Sequence, residues 1–212
     1  MTDRPTPHYD RPSISRVYEN LPGYGVDLYV GGREGASDIP LLKAHGISTV
    51  LNCAVNLDFN YVLSPDEVSH DSAVGYGPAL MRYYKLGIVD GPGNPDTMIL
   101  AGFYQMRGAL DQIMPERDSY PLRERGSLLV NCRAGRSRSV LLAGLFLHLH
   151  IPDEFPTLAR ALDHVRERRE LRPDEWHETP KPMLIAAAER TAHWVRMIEA
   201  DEANDRARAA SA

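Results

Sequence analysis

A cysteine and three arginines share the eight residues from Cys132 to Ser139, CRAGRSRS, with a short apolar run before them and a longer one after. Where a strand ends, a tight loop turns and a helix begins, successive backbone N–H groups can converge on one point beside the helix N-terminus, which suits a bound oxyanion. Gly135 allows close approach and backbone angles that a Cβ resists. Arg138 offers a planar, permanently charged fork for two phosphate oxygens. The same amides and positive charge depress the pKa of Cys132 and favour its thiolate, a nucleophile at neutral pH. A lone cysteine is more often a small buried hydrophobe, and arginines at a helix start are often a solvated face. Here cysteine, glycine and arginine fall in register at a strand-to-helix junction, and the chemistry that follows is attack of sulfur on a phosphoryl group.

The flanking patterns predict the elements that hold this loop. Residues 26–32 alternate and end in paired glycines, as a strand does. Residues 38–46 read as a short helix closed by Gly46, and residues 47–55 as a β-branched strand. A further strand spans 81–90 and ends at Asp90. Asn94 as cap, Pro95 in the first helical position and Asp96 in the first turn open a helix. Residues 127–132 form a mostly apolar strand of the kind buried in a parallel sheet. Helical patterns cover 140–150, 156–169 and 182–200. Strands alternating with helices predict an α/β fold, with a central, mostly parallel twisted sheet flanked by helices. The expected domain runs from 26 to 200, behind a partly mobile arm at 1–25 and before a frayed tail at 201–212.

The 212 residues carry a net charge of −5 and are 43% hydrophobic. An acidic chain has no general affinity for nucleic acid or anionic membrane, so any basic site is local. No stretch reaches the roughly 18 apolar residues that a membrane span requires, and the polar, proline-rich start has no signal-peptide core. Two cysteines, Cys53 and Cys132, cannot make a disulfide framework, which points to a reducing cytoplasm.

The loop resembles the H-C-x-x-G-x-S-R-S signature of the cysteine-dependent protein tyrosine phosphatases, dual-specificity branch, with one departure at Asn131. The resemblance continues in LYVGGREGASDIPLLKAHGISTVLNCA, in YYKLGIVDGPGNPD and in ALDHVRERRELRPDEWHETPKPMLIAAAE, together about residues 26–198. It implies that Cys132 attacks phosphorus and forms a phosphocysteine. It implies a phosphate site built from Arg133, Ala134, Gly135, Arg136, Ser137 and Arg138, with Asp90 as general acid and then base. Ser139 would donate a hydrogen bond to the sulfur as it leaves. No metal and no cofactor are required. The partners implied are a phosphorylated protein or a small phosphorylated molecule.

Several positions carry competing readings. Asp96 rivals Asp90 as the acid, but it sits in a helical first turn, whereas Asp90 enters the loop DGPG. Asn131 stands where the resemblance expects a histidine; a side chain that cannot carry charge implies a somewhat higher Cys132 pKa than in relatives, and reduced activity. Arg133 and Arg136 resemble positions that are basic in phosphatases of phosphoinositides, while Ser137 and Ser139 fit protein-directed enzymes better. The resemblance also implies that Cys53, otherwise a core residue, can bond the oxidised nucleophile. His148 and His150, two apart on a helix, make a poor metal pair, and Trp176 fits packing better than substrate stacking. The expected function is hydrolysis of phosphotyrosine, with phosphoserine and phosphothreonine. The alternatives are a phosphoinositide or other small substrate, and a weakly active phosphate-binding module.

Overall fold

The computed structural model describes residues 11–62, 77–117, 120 and 122–210. In chain order the elements are β1 (Ile14–Tyr18), β2 (Leu28–Gly31), α1 (Arg33–Ser37), α2 (Ile39–Ala44), β3 (Ile47–Ala54), β4 (Arg82–Ile88), α3 (Asp96–Asp111), β5 (Ser127–Asn131), α4 (Arg138–His150), α5 (Leu158–Arg168) and α6 (Pro182–Ala210). A 3₁₀ turn at Pro173–Glu175 precedes α6. The strands form one sheet in the order β1-β2-β5-β3-β4, antiparallel between β1 and β2 and parallel elsewhere.

Both faces of the sheet are covered, which is why its inner strands read as continuous apolar runs. Leu28, Val30, Leu51, Cys53, Leu128 and Val130 enter a large core with α3, α4, α5 and α6. Their alternate neighbours Tyr29, Val50 and Leu129 enter a smaller core with Ala36 and Leu42 of α1 and α2. Helix α4 is buried from Arg138 to His148. At Gly144 an added Cβ would lie 2.7 Å from the tip of the Leu162 side chain and 3.4 Å from its Cα, so α4 and α5 pack closely there.

The register brings the carboxyl ends of the parallel strands together: Gly31 and Asn52 both pair with Asn131, and Ala54 pairs with Ile88. Ligands of open α/β sheets bind at this edge. Cys132 leaves β5 from its centre, and Asp90 lies two residues beyond β4.

The structure departs from the sequence-based expectation in four places. Strand β1 lies inside the stretch expected to be an arm: Ile14 enters the smaller core and Val17 the larger, so the segment from 14 is part of the fold. Its ISRVY pattern is too short and polar to register alone and acquires its pairing only from β2. Helix α1 was not anticipated. Helix α6 continues through exposed residues to Ala210, carried by alanine, glutamate and arginine, which favour helix, and by the Arg206–Glu202 and Arg208–Asp205 pairs. Finally, Pro95 and not Asn94 is the N-cap of α3. The sequence offers no regular element over 57–80, a stretch whose packing would help set pocket depth; residues 63–76 of it lie outside the described residues.

Candidate active site

The loop after β5 is held with its carbonyl groups outward. Arg33 N–H donates to the Arg133 carbonyl at 3.0 Å and Arg169 Nε to the Gly135 carbonyl at 3.1 Å. Gly135 has φ +66°, and a Cβ there would stand 2.6 Å from the backbone of Gly31, so this position admits only glycine. With those carbonyls occupied from outside, the backbone N–H groups of Arg136 and Ser139 act on the Cys132 sulfur and favour its thiolate. Ser139 Oγ lies 3.3 Å from the same sulfur.

Cys132 is almost wholly buried, and burial pushes its thiol up. The Ser139 hydroxyl and N–H, the Arg138 charge and the Arg136 N–H together outweigh that cost and hold it below the ordinary thiol range. Cys53 behaves oppositely. Burial, then the Cys132 charge, push it well above the ordinary range, so it remains a thiol. Both cysteines are free.

Arg138 is 4% exposed. Its Nη1 donates to the Ile88 carbonyl at 3.0 Å and to Asn56 Oδ1 at 3.4 Å, fixing the guanidinium against the end of β4. Its Nε, equally buried, finds no acceptor among the described residues. An unsatisfied buried donor of this kind costs about 1–3 kcal/mol, so it is retained only where something repays it.

Asp90 is brought to the loop. Ser137 occupies the N-cap position of α4 but makes no capping bond; its hydroxyl donates instead to Asp90 Oδ1 at 2.8 Å. Lys181 Nζ holds the Asp90 carbonyl at 2.8 Å. The Asn94 side chain closes the DGPGN turn, accepting from Val89 N–H and donating to the Val89 and Gly91 carbonyls. That use of its amide is why Asn94 does not cap α3. Asp96 turns away and pairs with Arg190 of α6 through both carboxylate oxygens.

Asn131 is fully buried, but among the described residues its side chain makes one long bond, 3.5 Å from Nδ2 to the Cys132 carbonyl, and Oδ1 has no partner. Arg136 pairs with Glu175 at 3.0 Å, while Arg133 and Ala134 face solvent. Four residues near the loop were not singled out from sequence: Asn56, Arg169, Glu175 and Lys181. Asn56 follows the carboxyl end of β3, a position that a topological reading could have flagged; the other three reach the loop only through tertiary contacts. His148 bonds the Phe155 carbonyl and Arg196, and His150 the Pro22 carbonyl, so neither faces this site. Trp176 is packed, with Nε1 bonded to the Leu171 carbonyl and the Arg166 guanidinium over its ring. Among the described residues no cluster of three or more His, Cys, Asp or Glu could hold a metal ion.

Comparison with known protein families finds no matching family. Solved structures do match over most of the chain. Human DUSP28 superposes with a TM-score of 0.56 at 17% sequence identity, covering 87% of this chain and 96% of that one. The Yvh1 phosphatase domain from Chaetomium thermophilum gives 0.54 at 21%, covering 80% and 90%. A leucine rich repeat and phosphatase domain containing protein from Entamoeba histolytica gives 0.53 at 12%, covering 88% and 94%. The chain therefore shares the fold of these phosphatase structures.

Proposed function

We propose that the chain is a phosphomonoester hydrolase that works through a phosphocysteine on phosphorylated proteins, at phosphotyrosine and also at phosphoserine and phosphothreonine. The observation that carries this reading is the group at the end of β5: a thiol in contact with the Ser139 hydroxyl and favoured as thiolate by two loop N–H groups, beside a buried Arg138 whose Nε lacks an acceptor among the described residues. A phosphoryl oxygen supplies that acceptor.

In the proposed cycle Cys132 Sγ attacks phosphorus in line as the ester oxygen leaves, and Asp90 protonates that oxygen. Arg138 and the loop amides take up the equatorial oxygens. The Asp90 carboxylate then removes a proton from the attacking water, and Ser139 O–H stabilises the departing thiolate. The bond from Ser137 keeps Asp90 over the loop, which favours Asp90 over Asp96 as this acid. Two free cysteines suit a reducing cytoplasm. No described helix is long and apolar enough to cross a membrane. Glu175 engages Arg136, one of the two extra cations that a polyanionic headgroup would recruit, which favours protein over phosphoinositide substrates, while Arg133, the other, faces solvent.

Asn131, with its carbonyl oxygen unpartnered, favours a second reading: a module that binds phosphate groups and turns them over poorly. One panel separates the readings. Wild type, Cys132→Ser and Asp90→Asn are given phosphopeptides and a phosphoinositide, and phosphate release and binding are both measured. Release from phosphotyrosine peptides supports the first reading. Binding without release selects the second, and preference for the phosphoinositide moves the substrate to lipid. Asp90→Asn is expected to lower kcat on phosphopeptides by about 10²–10⁴-fold. Its effect on an activated aryl phosphate, whose leaving group needs little protonation, is expected to be much smaller. Equal losses on both substrates would remove Asp90 from the acid role.

A further inference from the structure

One buried cation stands outside the chemistry just described. Arg169, at the C-terminal end of α5, is 2% exposed and among the largest fully buried side chains. Burying a guanidinium is costly unless opposite charge offsets it. Yet its acceptors are neutral oxygens: the Gly135 carbonyl at 3.1 Å, Ser15 Oγ at 3.0 Å and the Pro12 carbonyl. Among the described residues no carboxylate lies within ion-pair distance. Burial, then repulsion from Arg11, push its pKa down to about 10, while a Cys132 thiolate pulls it up. Of the negative charges that act on Arg169, the nucleophile's is the largest, ahead of the Glu170 and Glu34 carboxylates. The geometry around it is a strut: one guanidinium spans from β1 and its lead-in to the carbonyl of the residue whose φ is +66° at the turn of the loop.

We propose that Arg169 is a positioning residue for the phosphate loop, holding the Gly135 carbonyl outward against β1 so that the loop's N–H groups stay aimed at the phosphoryl group, and lending its charge to the Cys132 thiolate from behind. The proposal rests on the phosphatase reading above. It also gives the segment at 12–15 a part in the site.

The test compares wild type, Arg169→Met and Arg169→Lys by kcat and KM on an aryl phosphate, by the pH midpoint of Cys132 alkylation with iodoacetamide, and by thermal melting. Arg169→Met is expected to lower kcat on the order of 10²-fold, because the donors shift from the phosphoryl oxygens. Its alkylation midpoint is expected to rise by about one pH unit, since a stabilising charge opposite in sign to the thiolate is gone. Arg169→Lys is expected to restore most of the midpoint but little of kcat, because a point charge cannot hold the Gly135 carbonyl and Ser15 together. In Arg169→Met a purely structural role would lower melting and the active fraction, leaving the midpoint of folded molecules unchanged; that result overturns the proposal, as does wild-type kcat in either folded variant. If Arg169→Met does not fold, Arg169→Lys decides by kcat per folded molecule: a loss supports the proposal and a wild-type value overturns it. Failure of the phosphatase reading looks different: wild type itself would show no turnover and a free-thiol midpoint.

Discussion

Cys132→Ser is expected to abolish turnover of phosphotyrosine peptides and aryl phosphates, a loss on the order of 10⁵-fold or more in kcat. A hydroxyl in the same place keeps the shape and the bond to Ser139, but it does not ionise in the neutral range, so the in-line attack has no nucleophile. Arg138 and the inward amides are untouched, so inorganic tungstate or phosphate is expected to bind the variant within severalfold of wild type. Phosphate release and oxyanion binding, measured side by side, check both halves. Residual turnover of a few per cent would mean that another group attacks phosphorus. Stability adds a signed control. The folded Cys132 thiol titrates below its unfolded value, so in the window between the two the unfolded chain binds more protons and wild-type stability rises with pH. That contribution is lost as pH falls through the folded value, and Cys132→Ser lacks it, so the stability gap between the two proteins is expected to change with pH in this window.

The second large effect is at Arg138. Arg138→Met is expected to lower kcat/KM on the order of 10³–10⁵-fold, the range that a transition-state guanidinium supplies in phosphoryl transfer. Arg138→Lys recovers only part of this, since an ammonium cannot present a planar fork to two oxygens while also meeting Ile88 and Asn56. Unlike Cys132→Ser, the Arg138 variants are expected to lose oxyanion affinity too. The Ile88 carbonyl loses the guanidinium and keeps the Val55 N–H, at a cost of about 1 kcal/mol of stability, readable in denaturant melts. Wild-type tungstate binding by a folded Arg138→Met would take this side chain out of the phosphate site.

How far the sequence alone reaches can be judged residue by residue. The loop from Cys132 to Ser139 was legible because its chemistry is local: strand end, glycine turn, arginine and helix start lie in one stretch and constrain one another. The parallel sheet was legible from buried apolar runs alternating with helices. Strand β1 was not, because five mixed residues become a strand only against β2. Arg169 and Glu175 were hidden for the same reason. In RERRELRPDE each reads as part of a solvated charged face, and only tertiary contact with Gly135, Ser15 and Arg136 gives them a place at the site. Asn94 was seen as a helix cap, the local role its residue type favours, but its amide is spent on the Val89–Gly91 turn that delivers Asp90. Local propensity lost there to loop closure.

The account turns on whether Cys132 is ionised in a cradle that also takes an oxyanion. Alkylation of the wild-type protein by iodoacetamide across pH, followed separately at Cys132 and Cys53 by mass spectrometry with and without inorganic phosphate, tests this most directly. The expected result is a Cys132 midpoint below the roughly 8.5 of a free cysteine, slowing of that reaction by phosphate, and an unmodified Cys53 in the folded protein. A Cys132 that titrates like a free thiol and reacts at the same rate whether or not phosphate is present would contradict it.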